Sequence, residues 1–133
     1  MTVSPSFQDF VLDLLGPLGP VPRRMFSGVG LFHGGVMFGL LVRDAMYLRV
    51  DDLTRERFEQ AGSGPFSYRR GERAVSISAY YLVPEDLLDR QEELLQWAQD
   101  AIAASRRAAA SAPSARSRSG ARGYRRKPRA DSD

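Results

Sequence analysis

The chain has 133 residues with a formal net charge of +3 and no cysteine. That length suits one domain with a real core, and the missing thiols exclude disulfides, a cysteine nucleophile and cysteine-ligated metal. The charge is uneven: up to Ala103 ten Arg and no Lys stand against fourteen acids, a net of −4, while the remainder carries eight Arg and one Lys against Asp131 and Asp133, a net of +7. The folded part is therefore expected to be mildly acidic, and the basicity belongs to a tail.

The N-terminus lacks a basic region ahead of an apolar one, so no signal peptide is expected. The longest apolar run, Val36 to Val42, is too short to span a bilayer. A soluble, cytoplasmic protein with no membrane contact follows as the expectation.

In chain order, Ser4-Pro5 supplies a cap and a first helical residue. Phe7, Phe10, Val11 and Leu14 then recur at helical spacing until Gly16-Pro17 stops the helix. Leu18 to Pro22 is too proline-rich for a helix or a central strand and reads as a stiff extended connector. Two apolar, Phe-rich runs around Gly34-Gly35 predict a hairpin. A third run, Ala45 to Val50, follows after only Arg43-Asp44, giving a three-stranded meander. In it Met46, Leu48 and Val50 alternate with Tyr47 and Arg49, so one face is buried and the other at least partly wet.

Asp51-Asp52 predicts the start of a helix running to about Ala61, ended by Gly62 to Pro65. A short strand at Phe66 to Tyr68, a charged turn from Arg69 to Arg73 and a longer strand from Ala74 to Leu82 come next. Pro84 to Leu88 makes a helical turn, and Asp89 to Glu92 fits a capping box. Behind it Leu94, Trp97, Ala98, Ala101 and Ile102 form the stripe of a closing helix. The order α-β-β-β-α-β-β-α lacks βαβ alternation. It predicts an α+β, two-layer sandwich: an antiparallel sheet of about five strands with helices on one face. Residues 1–105 form the domain, and 106–133 read as a basic tail rich in Arg, Ser and Ala, disordered from about Ala108.

Few residues invite chemistry. Gly28-Val29-Gly30 begins like a dinucleotide fingerprint, but His33 stands where the third glycine belongs and a strand follows where a helix is required. His33, the sole histidine, lies at a hairpin tip without a metal-binding set or an evident catalytic partner. Asp51-Asp52 and Glu92-Glu93 are explained by helix starts. Trp97, Phe26, Phe32 and Phe38 fall on apolar periodic positions and read as core. No catalytic residue, metal site or cofactor is expected.

Two binding elements remain. Arg23-Arg24, just before the first strand, are placed to hold an anion or a partner's carboxylate; the structural reading is a solvated strand end. In the tail, Arg106, Arg107, Arg116, Arg118, Arg122, Arg125, Arg126, Lys127 and Arg129 suit non-specific attraction to nucleic-acid phosphates, with strong salt dependence. A solubilising extension is the equal alternative.

The segments Arg24-Met25-Phe26, Gly28 to Phe32 and Gly35 to Leu40 are followed by Tyr47 to Asp51, Phe66-Ser67-Tyr68 and Val83-Pro84-Glu85 through Glu93 to Ala98. Their order and spacing resemble the N-terminal domain of the TfoX/Sxy family, regulators of natural competence, from Phe7 to about Ala104. Ser27 stands where that family commonly has glycine. The resemblance implies a two-layer sandwich of helices on an antiparallel sheet, and no catalytic residues. It further implies a bacterial, non-enzymatic regulatory module acting through protein partners, a transcription regulator such as the cyclic-AMP receptor protein among them. Full-length members carry a second, helical domain where this sequence has its Arg-rich tail. The rival reading is a small-molecule-binding domain or unrecognised enzyme, with a pocket between helices and sheet lined by Arg24, His33 and Asp51. A homodimer formed through an exposed sheet face is a third.

Overall fold

A computed structural model describes residues 3–25 and 28–111. Helix α1 (Pro5–Leu14) opens as its sequence dictates: the Ser4 hydroxyl accepts from the Phe7 amide at 3.2 Å, with proline in the first turn. A 3-10 turn (Gly16–Leu18) follows, ended by Gly19 in the left-handed region. The strands are β1 (Val21–Met25), β2 (Gly28–His33), β3 (Val36–Val42) and β4 (Ala45–Arg49). After helix α2 (Arg55–Gln60) come β5 (Pro65–Arg70) and β6 (Arg73–Leu82). A second 3-10 turn (Glu85–Asp89) leads into α3 (Gln91–Ser111).

All six strands join one antiparallel sheet in the order β1-β2-β3-β4-β6-β5. The architecture is the expected α+β sandwich, with one strand more than expected. Val21 and Pro22, read as the end of a stiff connector, belong instead to a strand that pairs with β2 from Val21↔Phe32 to Met25↔Gly28. Proline excludes a central strand, but an edge strand needs hydrogen bonds on one side only, and β1 is an edge. The first run of the hairpin, read as one strand beginning after Arg24, is thus divided: Met25 ends β1 and Gly28 opens β2.

The closing helix also differs. It continues through Ser111, past the expected end of order at Ala108 and across the boundary drawn at residue 105. Ala108, Ala109 and Ala110 are strong helix formers, and they carry Arg106 and Arg107 on the helix. No helix among the described residues is long and apolar enough to cross a membrane.

The helices lie on one face of the sheet. Leu31, Phe38, Leu41, Met46 and Leu48 from the strands meet Val11, Leu15, Phe58, Leu94 and Ala98 from the helices in a single core. The register of β2 against β3 shifts between Leu31 and Phe32, a bulge that leaves both Phe38 and Gly39 buried. Beside it, the Met37 carbonyl accepts from the Ser105 hydroxyl at 2.7 Å and the Tyr80 hydroxyl at 3.2 Å. Ser105, on α3, is one of two buried polar residues among those described, and this bond satisfies it.

Candidate functional site

The face of the sheet away from the helices holds a cavity of about 770 Å³. Strand alternation builds it: Met46 and Leu48 of β4 point into the core, so Tyr47 between them points the other way. Met37 and Leu40 of β3 and Tyr80 of β6 join Tyr47 along the floor. Met25 contributes from one edge strand, and Phe66 and Tyr68 from the opposite edge. At roughly 4.8 Å per strand spacing, a flat six-stranded sheet would hold its edges roughly 24 Å apart. That both edges line one cavity requires the sheet to curl into a cup.

The register of the last hairpin supplies part of that curl. Pro65 pairs with Tyr81 and the next residue, Phe66, with Ile77, so β6 advances four residues where β5 advances one. Such an irregularity bends and twists the strand that carries it. It delivers Phe66 edge-on to Tyr47, ring centroids 5.0 Å apart, with Tyr68 stacked 5.9 Å from Phe66. Gly30 provides room on the other side. A Cβ there would come within 2.6 Å of the Met25 sulfur and 3.0 Å of the Met37 sulfur, so its absence lets both thioethers pack over the strand.

Charge in the cup has one sign. Arg43, Arg69 and Arg70 line it, and among the described residues no acid does. Arg69 is partly anchored, donating to the Glu72 carbonyl at 3.0 Å. Arg49, beside Tyr47 in sequence, lies over the Tyr80 ring 5.8 Å from its centroid, and its buried Nε has no hydrogen-bond partner. Burial pushes the Tyr47 and Tyr80 hydroxyls above the usual phenol value, against the opposing influence of Arg43 and Arg49 respectively. The Tyr47 and Tyr80 hydroxyls therefore keep their protons at neutral pH. An apolar, aromatic floor together with arginines can bind and orient an apolar or anionic group.

A family model described as the TfoX N-terminal domain matches residues 13–105, which contain the whole cup and nearly all of the described fold. The chain belongs to that family. The DNA transformation protein TfoX1 of Aliivibrio fischeri is 32% identical over 84 residues, covering 63% of this chain and 40% of the relative. The chain thus spans well under two thirds of that relative's length.

Within this TfoX N-terminal domain the residues singled out by sequence are dispersed. Arg23 lies over the Phe32 ring, 5.2 Å from its centroid. Arg24 follows it on the same strand and so leaves by the opposite face; the two do not form one clamp. His33 is engaged by Arg106 at 2.9 Å, and Asp51 accepts from Arg107 Nε at 2.6 Å. None of Arg24, His33 and Asp51 lines the cup, which lies on the face opposite the helices rather than between helices and sheet. Glu92 and Glu93 occupy the first turn of α3, and no group of residues suited to a metal occurs among those described.

Phe38 and Trp97 pack as expected, Trp97 edge-on to Phe58 at 4.7 Å with Arg57 over its ring. Phe32 does not enter the core. Val29 and Leu31 of β2 face the core, so ordinary strand alternation puts Phe32 on the open face, beneath Arg23. Phe26 and the tail residues Arg116, Arg118, Arg122, Arg125, Arg126, Lys127 and Arg129 lie outside the described residues.

Sequence reasoning missed Met37, Leu40, Tyr47, Phe66, Tyr68 and Ile77 as a group. The signal was present in the wet positions of the strands, where large aromatic and apolar side chains stand in place of Lys or Glu. It also missed the work of Arg107, which fastens the end of α3 to the start of the α2 segment.

That ion pair sets an acid-dependent contribution to stability. Hydrogen bonding from Arg107 is the main cause holding the Asp51 carboxyl below its usual value, with the Leu53 amide and Thr54 hydroxyl adding to it and partial burial opposing. A depressed folded-state pKa stabilises at pH above the ordinary carboxylate value, and the contribution fades as pH falls through the folded one. Asp51→Asn is therefore expected to lower the urea midpoint at pH 7 and to have a smaller effect below pH 3. An equal effect at both pH values would contradict the pairing.

Proposed function

We propose that the chain is a regulatory binding domain in the control of DNA transformation, working in the cytoplasm through a protein partner, a transcription regulator, and not through chemistry of its own. The observation that carries this reading is the cup. Its lining combines an apolar, aromatic floor with arginines and with two tyrosines, Tyr47 and Tyr80, whose hydroxyls burial pushes above the usual phenol value, a composition for holding rather than converting a ligand. The family and the transformation protein in Aliivibrio fischeri supply the process.

The partner surface in this reading is the free edge of the sheet. Edge strand β1 exposes Val21 to more than half its area and carries Arg23 and Arg24 on opposite faces, so an extended segment could add to its unpaired backbone groups. The basic residues beyond Ser111 add non-specific attraction to nucleic acid.

The test is transformation frequency in a host strain from which the gene is deleted. The full chain is expected to restore it, and the Arg23→Glu/Arg24→Glu variant to fail while keeping its folded spectrum. No loss of transformation on deletion would overturn the regulatory reading, and full rescue by the variant would remove β1 from it. In gel-shift titrations at two salt concentrations, a chain ending at Ser111 is expected to lose the salt-sensitive binding of the full chain. Unchanged affinity would remove the tail.

A further inference from the structure

We infer that the cup is a binding site for a small amphiphile, an apolar body ending in one carboxylate or phosphate. This rests on the same cup that supports the regulatory reading, but the test below is independent of transformation, so the two can fail separately.

Size comes first. A cavity of about 770 Å³ falls within the range of small-molecule sites, roughly 300–1,000 Å³. It is bounded on two sides by opposite edge strands, which suits a compact ligand better than a continuous polypeptide or nucleic-acid strand.

The lining sets the apolar part. Met25, Met37, Leu40 and Ile77 offer aliphatic and thioether surface, and methionine adapts its shape to what it meets. Phe66 is fixed against Tyr47 and Tyr68, so the aromatic wall exists before any ligand arrives. Ile77 remains 38% exposed in a domain whose core residues are nearly all sealed; it is apolar area that no described residue covers.

Charge complementarity sets the head group. The chain up to Ala103 carries a net charge of −4, yet the cup collects Arg43, Arg69 and Arg70 and, among the described residues, no acid. A positive site on a negative domain selects an anion against the field of the whole molecule. Guanidinium groups pair with carboxylate or phosphate through charge-assisted hydrogen bonds. Apolar floor and cationic lining together describe an amphiphile with a single anionic end.

Calorimetric titration of the full chain with decanoate, decyl phosphate and decanol tests this. Saturable binding at one ligand per chain is expected for decanoate or decyl phosphate, with decanol at least about tenfold weaker, in line with the worth of a charged hydrogen bond. Arg69→Gln/Arg70→Gln, two exposed positions, is expected to weaken the anion about tenfold while leaving the urea midpoint and decanol binding unchanged. Leu40→Glu, which puts a carboxylate on the floor, is expected to abolish binding. Equal affinity for decanol, or insensitivity to the arginine substitutions, would overturn the proposal. So would a preference for anionic phospholipid vesicles over both soluble anions, or a dimer in sedimentation that Leu40→Glu dissociates.

Discussion

Phe58→Ala is expected to cost about 3–5 kcal/mol of folding stability. Phe58 is the one large side chain of the short helix α2 that reaches the core, and it is 2% exposed. Its ring meets Trp97 of α3 edge-on at 4.7 Å and Tyr81 of β6 at 6.0 Å, so three elements lose contact together. Tyr81 in turn donates to Glu59 at 2.9 Å, a bond that holds α2 against the sheet. A six-residue helix has little stability of its own, and without this anchor nothing replaces the packing. Urea denaturation followed by Trp97 fluorescence measures the loss directly, since Trp97 is the sole tryptophan. A change below about 1 kcal/mol, the scale of a surface substitution, would contradict the packing.

The second large effect is a contrast between two glycines of β2. At Gly28 an added Cβ would stand 2.5 Å from the Leu41 carbonyl oxygen and 3.0 Å from a Val42 methyl. The first is backbone of the neighbouring strand, so β2 or β3 must move, and Gly28→Ala is expected to cost about 1–3 kcal/mol. At Gly30 the obstructing atoms are the sulfurs of Met25 and Met37 and the edge of Phe32, all movable side chains. Gly30→Ala is expected to stay within about 1 kcal/mol of the parent, because reduced freedom of the unfolded chain offsets the adjustment. Urea midpoints of the two variants decide the matter. Equal losses would mean that the strands are not packed as described.

These two effects lie where sequence is easiest and hardest to interpret. The α2 segment was legible because Thr54 and Phe58 repeat at helical spacing between Asp51 and Gly62. The meander was legible because Gly34-Gly35 and Arg43-Asp44 punctuate it; at the latter both residues take positive φ, 54° and 57°, as a two-residue hairpin turn requires. Edge strand β1 was hidden because proline argues against strands in general, and only its position at the edge makes Pro22 acceptable. Arg106 and Arg107 looked like the start of a basic tail. Their ties to His33 and Asp51 span 73 and 56 residues of sequence, and such pairs leave no local pattern.

The cup was hidden for a different reason. Alternation in β4 announces two faces, but it does not say whether Tyr47 and Arg49 meet solvent, a second layer or a ligand. The answer depends on the β5–β6 register jump, which folds Phe66 toward Tyr47 and closes one wall. No periodicity in Pro65 to Leu82 signals a slip of that size. The helix-covered face is readable from apolar spacing, whereas the shape of the other face depends in part on an irregularity that leaves no pattern in the sequence.

Because the chain contains no cysteine, the two-faced sheet can be probed with single thiols. Leu40 and Leu41 are neighbours on β3, one lining the cup and the other sealed in the core at 0% exposure. Labelling Leu40→Cys and Leu41→Cys with a maleimide under native conditions measures which side is open. Leu40→Cys is expected to react within the mixing time of the folded protein, and Leu41→Cys only as fast as the domain unfolds. Equal protection of both thiols, or faster reaction at position 41, would contradict a sheet with one face packed under helices and the other left free to bind.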